Sequence, residues 1–159
     1  MQSDVLKIVA EESKMKVHIL SLVFVWCILQ VLSVRYPEEL IEDYIRECLE
    51  ELKLENEVLD VYFDDIFRVV NLDDRGDKLV GCLVKRCNYY RSDGKYNKEV
   101  MIKDIVKWMK FLVKREVENY EALAEKLHGN CGNMNGKDRV EKLINWNNCL
   151  AEEIELLNK

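Results

Sequence analysis

The 159-residue chain has little of what punctuates β structure: one proline and six glycines. A sandwich of many short strands needs a turn signal every ~8–12 residues. That architecture is therefore excluded, and no strand-like alternation persists anywhere. Histidine is scarcer still, with two residues, His18 and His128, so histidine-rich catalytic or metal sites are excluded. Cations never cluster with interleaved aromatics, and the formal net charge is −6. Phosphate backbones are bound by clustered Lys and Arg that release counterions, which excludes nucleic acid as a partner. Neither a P-loop nor a dinucleotide fingerprint is present. Carboxylates are many but fall on solvated helix faces, as at Glu50 and Glu51.

Two motifs that hint at metals fail on inspection. In Asp73-Asp74-Arg75-Gly76-Asp77, taking Gly76 as loop position six puts Arg75 at five and Cys82 at twelve, which no EF-hand tolerates. Cys82-x4-Cys87 and His128-x2-Cys131 are spaced too loosely for a zinc site. The chain reads as a non-enzyme without metal or cofactor.

What is present begins with an apolar run, Ile19 to Val31, preceded by Lys14 and Lys16. Val31 and Ser33 stand two apart, as at a signal-peptidase site. The run is short against the ~20 apolar residues of a membrane span and contains Gln30. Residues 1–33 therefore read as an N-terminal extension and signal peptide, with Met15 as an alternative start. Residues 34–159 read as one secreted, extracellular domain with no membrane contact after signal removal. A retained segment would instead make the chain a membrane-anchored helical domain. Export gives the cysteines a meaning. Cys27 leaves with the signal, and Cys48, Cys82, Cys87, Cys131 and Cys149 remain. In an oxidising compartment these form bridges, and an odd count leaves one thiol unpaired.

The rest is patterned as helices. Pro37-Glu38-Glu39 is a good helix start, and Leu40, Ile41, Tyr44, Ile45, Cys48, Leu49 and Leu52 follow at helical spacing. Leu59, Phe63, Ile66, Phe67 and Val70 predict a second helix over 57–70, broken by Asp73, Asp74 and Gly76. Asp77 is placed to cap a third, carrying Leu79, Val80, Leu83, Val84 and Cys87 on one face. Ser92-Asp93-Gly94 is a turn. From Asn97 a longer pattern, striped by Met101, Ile105, Trp108, Met109 and Leu112, reaches about Leu127 with a break near 116–119. Residues 129–136 read as a loop. Asp138 and Glu141 form a capping box for a last helix, which the Leu156–Lys159 tail should finish. About six helices follow the signal.

The order and spacing of the cysteines resemble the insect odorant-binding (pheromone-binding) family. That family has a cysteine on helix one, a Cys-x3-Cys pair on helix three, and a fourth, fifth and sixth separated by eight residues each. Cys48 and Cys87 match the first and third, Cys131 and Cys149 the fourth and sixth. Seventeen residues separate the last two, with Val140 where the fifth cysteine would stand. Leu83, four before Cys87, stands for the second. Both members of one bridge are thus replaced by hydrophobes, as in the family's minus-C branch. The family pairs first with third, second with fifth and fourth with sixth. The resemblance therefore implies bridges Cys48–Cys87 and Cys131–Cys149. Cys82 is left as a free or intermolecular thiol, a route to a homodimer. It further implies an all-α fold of about six helices, stapled by disulfides around a hydrophobic cavity.

Such a chain would carry small hydrophobic ligands such as odorants, pheromones or related lipophilic molecules. The residues expected at the ligand are Phe63, Phe67, Met101, Trp108, Met109, Leu112, Leu143 and Trp146, with Tyr44, Tyr62 or Tyr120 as polar partners. Met and aromatic side chains suit a pocket for varied apolar molecules, although helical stripes of this kind more often make ordinary core. His128 reads as a solvated helix-end residue, with a pH trigger as the functional alternative. The rival reading of the whole chain is a secreted venom or salivary interaction protein on the same fold without a usable cavity.

Overall fold

Among the described residues six α-helices form, carried by apolar stripes and, for three of them, by a capping side chain. The computed structural model describes residues 35–132 and 135–159. The apolar run at 19–31 and the signal-peptide reading lie outside them. After a 3-10 turn at Glu38–Leu40 come α1 (Asp43–Glu51), α2 (Val58–Tyr62), α3 (Asp74–Arg86), α4 (Lys98–Leu112), α5 (Tyr120–Cys131) and α6 (Arg139–Leu156). Among the described residues no helix is long and apolar enough to cross a membrane.

Side-chain caps set the starts of α3, α5 and α6. Asp73, extended at φ −101°, accepts hydrogen bonds from the backbone N–H groups of Arg75 and Gly76 and starts α3. Asp77, the expected cap, lies inside the helix. Gly76 is no breaker but a contact. A Cβ there would sit 2.7 Å from Leu72 and 3.1 Å from the ring of Tyr62, whose hydroxyl donates to Asp73 Oδ1 at 2.5 Å. Asn119 caps α5 through the N–H of Ala122, and Asp138 caps α6 through that of Glu141. Glu141 reaches back to the N–H of Lys137, one residue before the cap, in a variant of the expected box. α5 also runs three residues into the segment read as loop, ending at Cys131.

Two expected helices are interrupted. Ile41 takes an extended ψ of 95°, so Leu40 and the body of α1 are separated. The predicted helix over 57–70 stops at Tyr62. The carboxylate of Asp64 accepts from the N–H groups of Ile66 and Arg68 and from Arg68 Nε. A short side chain that offers the backbone such partners competes with the helical ladder. Residues 63–70 instead make an irregular loop, pinched by an isolated bridge between Phe63 and Val69. It is fastened to α6: Asn148 exchanges two hydrogen bonds with the backbone of Val69, and Asn147 Nδ2 donates to Phe67 O. Phe67 is held at φ 67°, a conformation costly for a bulky side chain. The tail likewise works on its neighbour. Asn158 accepts from Lys114 N and donates to Leu112 O, closing the end of α4.

The core is two hydrophobic clusters. One gathers α1, α2, Phe67 and the Leu79–Cys82 face of α3. The other gathers α4, α5 and α6 with Cys87 and Tyr89. Tyr44, Trp108 and Leu112 pack against both. Each cluster has its own disulfide, Cys48–Cys82 in the first and Cys131–Cys149 in the second.

The first bridge corrects the expected pairing with Cys87. Five residues on a helix amount to a rotation of about 140°, so Cys82 and Cys87 cannot face the same neighbour. The face of α3 that meets α1 is set by Cys82 and Arg86, one turn apart. Arg86 binds Glu47 Oε2 at 2.6 Å and Glu51 Oε2 at 2.7 Å. Cys87 follows the helix, turns to the second cluster and is the free thiol among the described residues, 5% exposed. Cys82 is thus neither free nor available to link two chains. The equivalence of Leu83 with a lost cysteine is counted back from Cys87, so it does not carry over to a chain that bonds through Cys82. The Cys131–Cys149 bridge stands as expected.

Candidate functional site

At the seam between the clusters lies a cavity of about 80 Å³. Its walls come from every part of the fold except α5. Tyr36 and Leu40 precede α1, and Tyr44 and Ile45 lie on it. Leu59, Phe63 and Val69 come from α2 and the following loop. Val80, Leu83 and Cys87 come from α3 and its end. Tyr89 follows, then Trp108 of α4, and Leu143, Ile144, Trp146 and Asn147 of α6. The walls are held by aromatic contacts. Tyr36 lies 4.8 Å from Phe63 and 5.8 Å from Phe67, and Tyr89 meets Trp146 edge-on at 5.2 Å. Tyr36 is itself tied by its N–H to Asp60 Oδ1 at 2.6 Å.

Of the eight residues expected at the ligand, Phe63, Trp108, Leu143 and Trp146 line this cavity. Met101 and Met109 do not. Both are completely buried and pack α4 into the second cluster. Phe67 and Leu112 line a separate pocket of about 100 Å³ near Ala151 and Asn158. The difference has a simple cause. All four stand at helical spacing in the sequence, and such a stripe marks an inward face without saying whether it meets solid core or a void. Tyr44, one of three candidate polar partners, does line the cavity. Tyr62 is committed to Asp73, and Tyr120 packs against the second cluster. Sequence reasoning missed Tyr36, Tyr89, Cys87 and Asn147. Tyr36 and Tyr89 lie outside any helix, so no periodicity points to them.

Behind the cavity wall, Tyr89 donates to Asp104 Oδ2 at 2.7 Å. Burial pushes the Asp104 carboxyl up to about 6, against the Tyr89 hydrogen bond, which lowers it. Burial likewise pushes the Cys87 thiol up to about 11, so it stays protonated and unreactive at neutral pH. The hydroxyls of Tyr36, Tyr44 and Tyr89 are all raised, chiefly by burial. Trp146 is 5% exposed, and its Nε1–H has no acceptor among the described residues. The wall is therefore largely apolar and neutral, and the Asp104 carboxyl lies outside it, reached through Tyr89.

His128 lies outside this wall. It is half-buried rather than solvated, and its Nε2 finds no partner among the described residues. Burial and then Lys98 lower its pKa, so it is neutral at neutral pH. No group of His, Cys, Asp and Glu among the described residues could hold a metal ion.

Residues 35–153 match the PBP/GOBP family. Among curated proteins and solved structures nothing matches.

Proposed function

We propose, from the premise that this chain belongs to the PBP/GOBP family, the insect odorant-binding proteins, that it is a secreted carrier of small hydrophobic molecules. The family is one of carriers, not of enzymes. The observation that carries the reading is the seam cavity, walled by Phe63, Trp108, Leu143 and Trp146 with tyrosines at its margin. Burying apolar ligand surface there supplies about 25 cal/mol per Å² removed from water, offset by the cost of association.

At about 80 Å³ the cavity is smaller than the ~300–1,000 Å³ of pockets for drug-sized ligands. It suits a molecule of few heavy atoms, and larger ligands require wall residues to move. Phe63, Trp108 and Leu143 are only half-buried and are free to turn outward. Two disulfides support an extracellular site of action. A cavity-free interaction protein is the weaker reading, because the core is not filled and Cys82 is bonded within the chain.

The test is a fluorescence titration of the disulfide-intact protein with an apolar dye, followed by competition with volatile and fatty compounds. One saturable, displaceable site per chain is expected. A helical, correctly bridged protein that takes up no dye and no competitor overturns the carrier reading.

A further inference from the structure

Beside the main cavity is a recess of about 10 Å³. It shares Tyr89, Trp108, Trp146 and Asn147 with the main cavity and adds Asp104 at its wall. A space of ~10–15 Å³ holds one water-sized group. This recess therefore accommodates a single hydroxyl, not a chain.

Its chemistry is two-sided. Asp104 carries two carboxyl oxygens, of which Oδ2 already accepts from Tyr89. Oδ1 can take a second donor. Trp146 offers the reverse. Its Nε1–H is buried and has no acceptor among the described residues, and buried indole N–H groups ordinarily find one. No described protein group serves this donor, so a ligand oxygen that accepts from it supplies a partner the protein's own groups do not. An ether or a carbonyl oxygen could answer Trp146 alone, and an ammonium Asp104 alone. A hydroxyl answers both, donating to the carboxylate and accepting from the indole.

We infer that the carried molecule is an apolar alcohol, its hydroxyl seated in the recess between Asp104 and Trp146 and its hydrocarbon part in the main cavity. This rests on the carrier reading and names the ligand class for the same site.

The experiment displaces a bound fluorescent apolar dye with three molecules of equal heavy-atom count: hexan-1-ol, its isomer methyl pentyl ether, and heptane. Hydrogen bonds to a charged group are stronger than neutral ones. The alcohol is therefore expected to displace dye at least about tenfold better than the ether, and the ether better than heptane. Trp146→Phe should remove the advantage of ether over heptane. Asp104→Leu should remove that of alcohol over ether. Circular dichroism confirms that each variant is folded. Equal displacement by alcohol and ether in the unmutated protein overturns the inference while leaving the carrier intact, and that comparison needs no variant. Alcohol preference that survives in folded Asp104→Leu overturns it too. Absence of dye binding is the separate failure, and it removes the carrier reading itself.

Discussion

Removing Cys48 and Cys82 together, as C48A/C82A, should cost the protein most of the stability that one covalent loop can supply. The two residues are 34 apart in sequence. For a loop of that length the chain-entropy expression gives about 3.8 kcal/mol at 25 °C. The Cys131–Cys149 loop, with a separation of 18, gives about 3.2 kcal/mol. Cys87→Ala removes a single buried sulfur atom and should cost only about 1 kcal/mol. The ordering of the three variants in urea melts under non-reducing conditions therefore assigns the bridges energetically. Chemistry assigns them independently. The Cys87 thiol is buried and held up at about 11. Among the described cysteines, an alkylating agent at pH 8 should label almost nothing in the native protein and Cys87 alone after unfolding without reductant. A peptide map that finds Cys82 alkylated and Cys87 bonded, or a C87A variant that loses 3–4 kcal/mol, would refute the argument from helix faces.

Asp104 makes stability depend on pH in the direction opposite to most carboxylates. Its native pKa of about 6 lies above the ordinary 3.8, so the folded state holds the proton more tightly. Its contribution is then intact below pH 4 and lost as pH rises through 6. The upper bound is about 3 kcal/mol, reduced to roughly 1–2 by solvent at a half-buried group. Asp104→Asn should be more stable than the parent at pH 7 and should flatten that slope in melts from pH 4 to 7. Met109→Ala, in solid core, should cost about 2–5 kcal/mol. Leu143→Ala, on a half-buried cavity wall, should cost under about 1.5 kcal/mol while changing dye affinity, which titration checks. Removing both side chains that hold the 63–70 loop, as N147A/N148A, deletes three hydrogen bonds to its backbone. Amide exchange at Val69 should rise about a hundredfold, at ~1 kcal/mol per bond. Unchanged exchange would show that the loop is held by packing instead.

Much of the fold is legible in the sequence because local and tertiary signals agree there. α4 and α6 carry stripes that the tertiary packing uses, and Asp138 caps where a capping residue should stand. Legibility fails where a side chain competes with the backbone. Phe63, Ile66, Phe67 and Val70 have helical spacing, but Asp64 captures the amides that a helix would need. It fails again where the answer depends on how two helices cross. Nothing in Cys82-x4-Cys87 says which sulfur faces α1. The pairing of Arg86 with Glu47 and Glu51 decides it, and those partners lie more than thirty residues away in sequence. The cavity was half legible for a related reason. Phe63, Trp108, Leu143 and Trp146 sit on recognisable stripes, whereas Tyr36 and Tyr89 reach the same space from irregular segments.

Each disulfide lies inside one hydrophobic cluster, and among the described residues none crosses the seam that holds the cavity. The halves meet there through apolar contact, the hydrogen bonds that Asn147 and Asn148 make to the loop at 63–70, and the ion pairs Arg68–Glu152 and Lys107–Glu42. On the proposed carrier reading, opening the seam to load or release a ligand requires no disulfide to break, because each bridge staples one side of it. A container built this way separates durability from permeability: the bridges set how long the molecule lasts, and the seam sets how long its cargo stays.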